Sequence, residues 1–90
     1  MVKVVNRHHE KYDVYIGRGT PAGNPFIVGI DGNHQTCVNK YSIYFNWRIG
    51  WDPIFRNFIN SLDGKIVGCS CKPKPCHGDV IEEYHRNGRF

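Results

Sequence analysis

Residues 65–84, "KIVGCSCKPKPCHGDVIEEY", constrain the fold more than any other stretch of the chain. "KIVGCSC" (65–71) is a short apolar run containing a glycine, which reads as a buried strand. In "KPKP" each proline fixes its own φ and holds the residue before it extended, so the chain must make a defined turn there. From about Gly78 a helix begins, with Val80, Ile81 and Tyr84 turned inward. Strand, stiff loop and helix follow one another within twenty residues. Strand-then-helix alternation is the mark of an α/β layer structure.

The rest of the chain supplies the layers. "VKVVN" (2–6) and "YDVYIGRG" (12–19) are rich in Val, Ile and Tyr and read as two strands separated by the polar "RHHEK". Adjacent histidines point in opposite directions on an extended chain, so "RHHE" (7–10) reads as a solvated turn. The glycine- and proline-rich stretch 18–33 is a loop. Val38, Tyr41, Phe45 and Ile49 recur at helical spacing and predict a first helix from about Thr36 to Ile49. In "WDPIFRNFINSLDG", Asp52 suits an N-cap, Pro53 the first helical position and Gly64 the C-terminal stop. Ile54, Phe55, Phe58, Ile59 and Leu62 give that second helix one apolar face. Trp47 and Trp51 are expected to close the core between the helices, and His34 and His85 to lie on the surface. The expectation is one α/β domain over 1–90, with a sheet of about three strands, mixed or parallel, packed with three helices. The third strand is expected to be central.

No N-terminal stretch resembles a signal peptide, and no apolar run approaches the ~18 residues of a membrane span. The four cysteines are not spaced to close several large loops, as those of small secreted scaffolds are. They read as free or metal-bound thiols in a reducing cytoplasm, with Cys37 a core thiol on the first helix. Net charge is +4 and the pI about 9.0. That balance suits weak attraction to nucleic acid or small anions, but the Lys and Arg residues are scattered and form no run.

Cys69, Cys71, Cys76 and His77 concentrate chemistry into nine positions. Side chains alternate across a strand, so Cys69 and Cys71 point to one face, their Cα atoms roughly 6.6 Å apart at ~3.3 Å per residue. Cys76 and His77 arrive at the start of the last helix. Zinc accepts three thiolates and an imidazole in a tetrahedron, which makes these four a candidate metal set with zinc as cofactor. A second reading is a reactive thiol: Cys76 at a helix N-terminus near Lys72 and Lys74, assisted by His77 or Cys71. Asp79, Glu82 and Glu83 oppose that effect in the first turn. Asp79 joins Cys76 and His77 as a catalytic candidate. The third reading is a plain proline-stiffened turn beside a buried strand.

"GRGTPAGNPF" (17–26) is a second candidate. Its glycines let backbone approach a ligand, and Arg18 can grip a carboxylate or phosphate bidentately. It has neither Walker A order nor G-x-G-x-x-G spacing, and Gly23-Asn24-Pro25 also suits a simple turn that packs Phe26. Arg18 follows a strand, where α/β folds place ligand groups. If that strand and the third are parallel neighbours, Arg18 and the Cys/His cluster share one rim.

"VVN", "DVYIGRG", "GNPF" and "GKIVGCSCKPKPCHGDV" together resemble a family of phage and bacterial proteins known as domain of unknown function 4326. The resemblance runs nearly end to end. Members usually carry an aromatic residue between the first two cysteines, where this chain has Ser70, and often an acidic-then-Arg pair before the first helix. This chain has Gly32-Asn33-His34-Gln35 there. The resemblance implies a phage-encoded accessory protein working in a bacterial cytoplasm and brings no activity with it.

Three functions follow as expectations. The first is a small cytoplasmic module holding zinc through Cys69, Cys71, Cys76 and His77, with Arg18 and Asn24 as a ligand-contact rim. The second is an enzyme acting on a nucleotide-like or other anionic small molecule through Cys76 or His77. The third is an interaction protein that inhibits a host factor or binds nucleic acid. None of the three involves a membrane.

Overall fold

The computed structural model of the chain describes residues 2–87. Its elements run β1 (Lys3–Asn6), β2 (Val14–Tyr15), α1 (His34–Trp51), α2 (Pro53–Asn60), β3 (Ile66–Cys69) and α3 (Gly78–Arg86). The sheet order is β1-β3-β2, with β3 parallel to both neighbours. The expected α/β architecture with a central third strand is therefore the one observed, and the sheet is parallel rather than mixed. Val67 and Gly68 of β3 sit opposite Val4 and Val5 on one side and Val14 and Tyr15 on the other. A central parallel strand is covered on both faces, which is why Val67, Gly68 and Cys69 are all buried.

Two strands are shorter than the sequence suggested. Hydrogen bonds continue the β2 ladder at Asp13 and Ile16, which donate to the carbonyls of Ile66 and Gly68. Beyond Ile16 the chain turns, Thr20 N–H bonding to the Gly17 carbonyl and Gly19 taking φ +85°. β3 stops at Cys69, whose carbonyl accepts from Arg7 N–H, so Cys71 lies past the strand and not on it.

α1 starts two residues earlier than expected because Asn33 is its N-cap, the side chain accepting from Thr36 N–H at 2.8 Å. Asp52 closes α1 and opens α2, its carboxylate accepting from the N–H groups of Ile54 and Phe55. α2 ends at Asn60 and not at Gly64; Gly64, at φ +78°, serves the turn into β3.

The core forms where the helical stripes meet the sheet. Tyr41 and Phe45 on α1, Phe55 and Ile59 on α2, and Ile81 and Tyr84 on α3 pack with Val67 and Cys69. The Phe45 ring meets Phe55 and Tyr84 edge to face, at 5.5 and 5.4 Å between centroids. Trp47 and Trp51 do not close this core. They are 62% and 55% exposed, and meet each other edge to face at 5.1 Å between centroids. At about 100° per residue, positions 47 and 51 fall on the side of the helix away from 41 and 45. Ile54, expected on the packed face of α2, is likewise exposed. His85 goes the other way: it follows Ile81 by one turn, is buried, and bonds through Nε2 to the Ile59 carbonyl at 2.9 Å. Among the described residues no helix is long and apolar enough to cross a membrane.

Candidate functional site

β2 and β3 run side by side in the same direction, so the segments leaving their C-terminal ends emerge at one edge of the sheet. Gly17 and Arg18 leave β2 there, and Ser70 and Cys71 leave β3. With the start of α1 and the loop before α3 they enclose a cavity of about 230 Å³. Arg18, Asn24, Cys71, Cys76 and His77 all line it. Cys69, the fourth member of the sequence cluster, does not line it.

The loop that carries Cys76 is held by its neighbours. Asn6 Nδ2 donates to the Lys72 carbonyl at 2.6 Å, and Lys74 N–H closes a turn onto the Cys71 carbonyl at 2.8 Å. Asp79, a catalytic candidate in the sequence, ties this loop to α3. One of its carboxylate oxygens pairs with Lys72 Nζ at 2.5 Å and the other accepts from Cys76 N–H at 3.2 Å. Gly78 lets α3 start close against the sheet, since a Cβ there would meet Val4 Cγ1 at 2.8 Å. Asp79 is not among the residues lining the cavity.

Cys76 Sγ is the centre of the cluster. It accepts from Gly78 N–H at 3.3 Å and lies 3.8 Å from His77 Nδ1. Its thiol is also electrostatically linked to those of Cys69 and Cys71. Cys69 is held below the usual thiol range, first by its interaction with Cys76 and then by the backbone N–H groups of Lys72 and Cys71, against the effect of burial. Cys76 is pushed up, first by its interaction with Cys69 and then by burial. Burial, followed by the charge on Cys69, raises Cys71; Lys74 and Arg18 pull the other way.

His77 is oriented by the chain. Its Nε2 lies 2.6 Å from the Ile16 carbonyl, and a carbonyl only accepts, so Nε2 carries the proton. Burial holds the imidazole below its usual range, and in the neutral ring the Nδ1 lone pair faces Cys76. The Tyr41 ring braces His77 edge to face at 5.2 Å. Among the described residues, no group of three or more His, Cys, Asp and Glu side chains is placed to hold a metal ion.

Arg18 and Asn24 differ in their commitments. Asn24 Oδ1 accepts from Phe26 N–H at 2.9 Å and its Nδ2 donates to the Cys37 carbonyl at 3.4 Å, so its amide shapes the loop. Arg18 is exposed at the mouth and makes no ion pair among the described residues.

The family model for the domain of unknown function DUF4326 matches residues 3–87. The chain belongs to this family. It is also 40% identical over 82 residues to an uncharacterized 12.4 kDa protein of the nrdA-td intergenic region of Enterobacteria phage T4, a match spanning 90% of this chain and 74% of that one. No solved structure matches. The chain is thus a phage-type protein of a family whose description assigns no activity.

Several lining residues escaped the sequence. His34, expected on the surface, is half-buried in the cavity wall because α1 begins at it. Cys37, expected as a core thiol, is buried but also lines the cavity one turn further on. Phe26, Val28 and Val38 give the wall its apolar part. The N-cap signal of Asn33 was legible and would have placed His34 and Cys37 on the first turn of α1.

Proposed function

We propose that the chain acts on an anionic, nucleotide-like small molecule bound in this cavity, through Cys76 with His77 beside it. The observation that supports this most is the meeting of Arg18, without an ion pair among the described residues, with Cys76 and His77 in one cavity at the C-terminal edge of a parallel sheet. In this reading Arg18 binds the anionic end and Phe26, Val28 and Val38 receive the apolar part. Cys76 is the nucleophile. At rest it is protonated, and its proton has an acceptor beside it, His77 Nδ1.

Thermal-shift titration with inorganic phosphate and a panel of nucleoside phosphates tests the binding. A member of the panel should raise the melting temperature and slow iodoacetamide modification of Cys76. Arg18→Ala should then weaken it about tenfold or more, since a charge-assisted hydrogen bond contributes roughly 1.5–3 kcal/mol. A panel without effect, or an Arg18→Ala variant that binds as the parent does, ends the reading. A folded Cys76→Ser variant with full turnover of the bound compound removes Cys76 as nucleophile.

A zinc reading has the crowding of sulfurs about Cys76 in its favour. It requires Cys69, Cys71, Cys76 and His77 to turn toward a common centre that they do not now share. Native mass spectrometry before and after chelation separates the two readings, one metal equivalent supporting zinc.

The exposed stripe of Ile43, Trp47, Trp51 and Ile54 favours the interaction-protein reading. Partner capture that survives Trp47→Ser and Trp51→Ser would remove the stripe as its surface.

A further inference from the structure

All four cysteines are free thiols, and three of them lie at one end of the sheet. Their placement is unequal. Cys69 ends the central strand, has no exposed surface and does not line the cavity. Cys76 is buried but lines the cavity, and Cys71 lines it while remaining half-exposed. Cys71 and Cys76 thus face one cavity from the two ends of the loop that joins them.

That loop is held at both ends. The Lys74-to-Cys71 turn closes one end, and Asp79 holds the other through Lys72 Nζ and Cys76 N–H. A thiol open to solvent, with a second thiol beside it and shielded, has the arrangement of an attacking and a resolving cysteine.

We infer that Cys71 and Cys76 form a redox-active dithiol that exchanges with small disulfides through the mouth of the cavity. Cys71, as thiolate, attacks one sulfur of an incoming disulfide such as glutathione disulfide. The disulfide bond breaks, a mixed disulfide forms on Cys71, and one glutathione thiolate leaves. Cys76, as thiolate, then attacks Cys71 Sγ, forming the Cys71–Cys76 bond and expelling the second thiolate. The two protons lost by the cysteines are taken up by the departing thiolates. Overall the protein is oxidised by two electrons and one glutathione disulfide is reduced to two glutathiones. The inference is independent of any ligand bound at Arg18, because its test needs no substrate.

The full chain is reduced, freed of reductant under inert gas and equilibrated with mixtures of reduced and oxidised glutathione. Acid quenching, N-ethylmaleimide alkylation and intact mass then count the remaining thiols. The reduced protein should take up one alkyl group on each of its four cysteines, and the oxidised protein on two fewer. Trypsin leaves Cys69, Cys71 and Cys76 on one peptide, because prolines follow Lys72 and Lys74. The bridge is therefore assigned with variants. Cys69→Ser should still lose two thiols. Cys76→Ser should accumulate one glutathione on Cys71, and Cys71→Ser should form neither a bridge nor an adduct. Wild-type protein that keeps every thiol alkylatable at all ratios overturns the proposal without recourse to any variant. So does a bridge that survives Cys71→Ser and disappears in Cys69→Ser.

Discussion

Tyr41 shows how much one side chain does here. It is fully buried on α1, its ring braces His77, and its hydroxyl donates to the Ala22 carbonyl at 2.8 Å. The hydroxyl ties the glycine- and proline-rich loop to the helix beneath it. Burial, with the nearby Tyr44, raises its pKa far above the phenol range, so it stays a donor. Tyr41→Phe keeps the ring and strands the Ala22 carbonyl, and should cost about 1–3 kcal/mol in urea unfolding with an unchanged m-value. A loss within the noise would mean that water replaces the hydroxyl and the loop is open. Tyr41 was legible as a helix position in the apolar repeat, but its partner, nineteen residues away, was not.

At the scale of elements, caps decide where helices meet. Asp52 accepts from Ile54 and Phe55 N–H and pairs with Arg48 Nε at 2.9 Å, so the α1–α2 corner turns on one carboxylate. The Phe55 N–H and then Arg48 hold its pKa below the usual carboxylate value. A depressed carboxylate pKa gives stability that is present above the unfolded value and is lost as pH falls through the folded one. Asp52→Ala should therefore lower the urea midpoint at pH 7, and the difference from wild type should shrink as pH falls below the ordinary carboxylate range. A difference that persists at low pH would show that the substitution acts through packing and not through the charged cap. This cap was readable from "WDP", because capping is a local bond between a side chain and backbone two or three residues ahead. The end of β3 was not: the strand stops where its neighbours stop bonding to it.

For the whole molecule, the two buried histidines set an acid limit. His77 and His85 sit at opposite ends of α3's core contact, each bonded to a carbonyl, and burial lowers both below 6.5. In the unfolded chain both take protons near pH 6.5, whereas the folded chain resists them to lower pH. Between those values the unfolded state binds more protons, so stability rises with pH. The urea midpoint should be level above about pH 6.5 and fall below it, well before the carboxylates titrate. His77→Gln with His85→Gln should flatten that limb. A midpoint level from pH 7.5 to 5 would mean that water reaches these rings.

The sequence by itself determined the number and order of elements, the α/β class and the closeness of Cys76 and His77. These follow from short-range physics: periodicity, capping and proline stiffness act within a turn or two of the chain. Tertiary structure alone decided that Trp47 and Trp51 of α1 stay in water and that His85 of α3 lies inside. It also decided that Cys71 and Cys76 line the cavity while Cys69 lies behind it. Both outcomes depend on which surfaces the sheet leaves uncovered, and that is fixed only when β2 and β3, fifty residues apart, come to lie side by side.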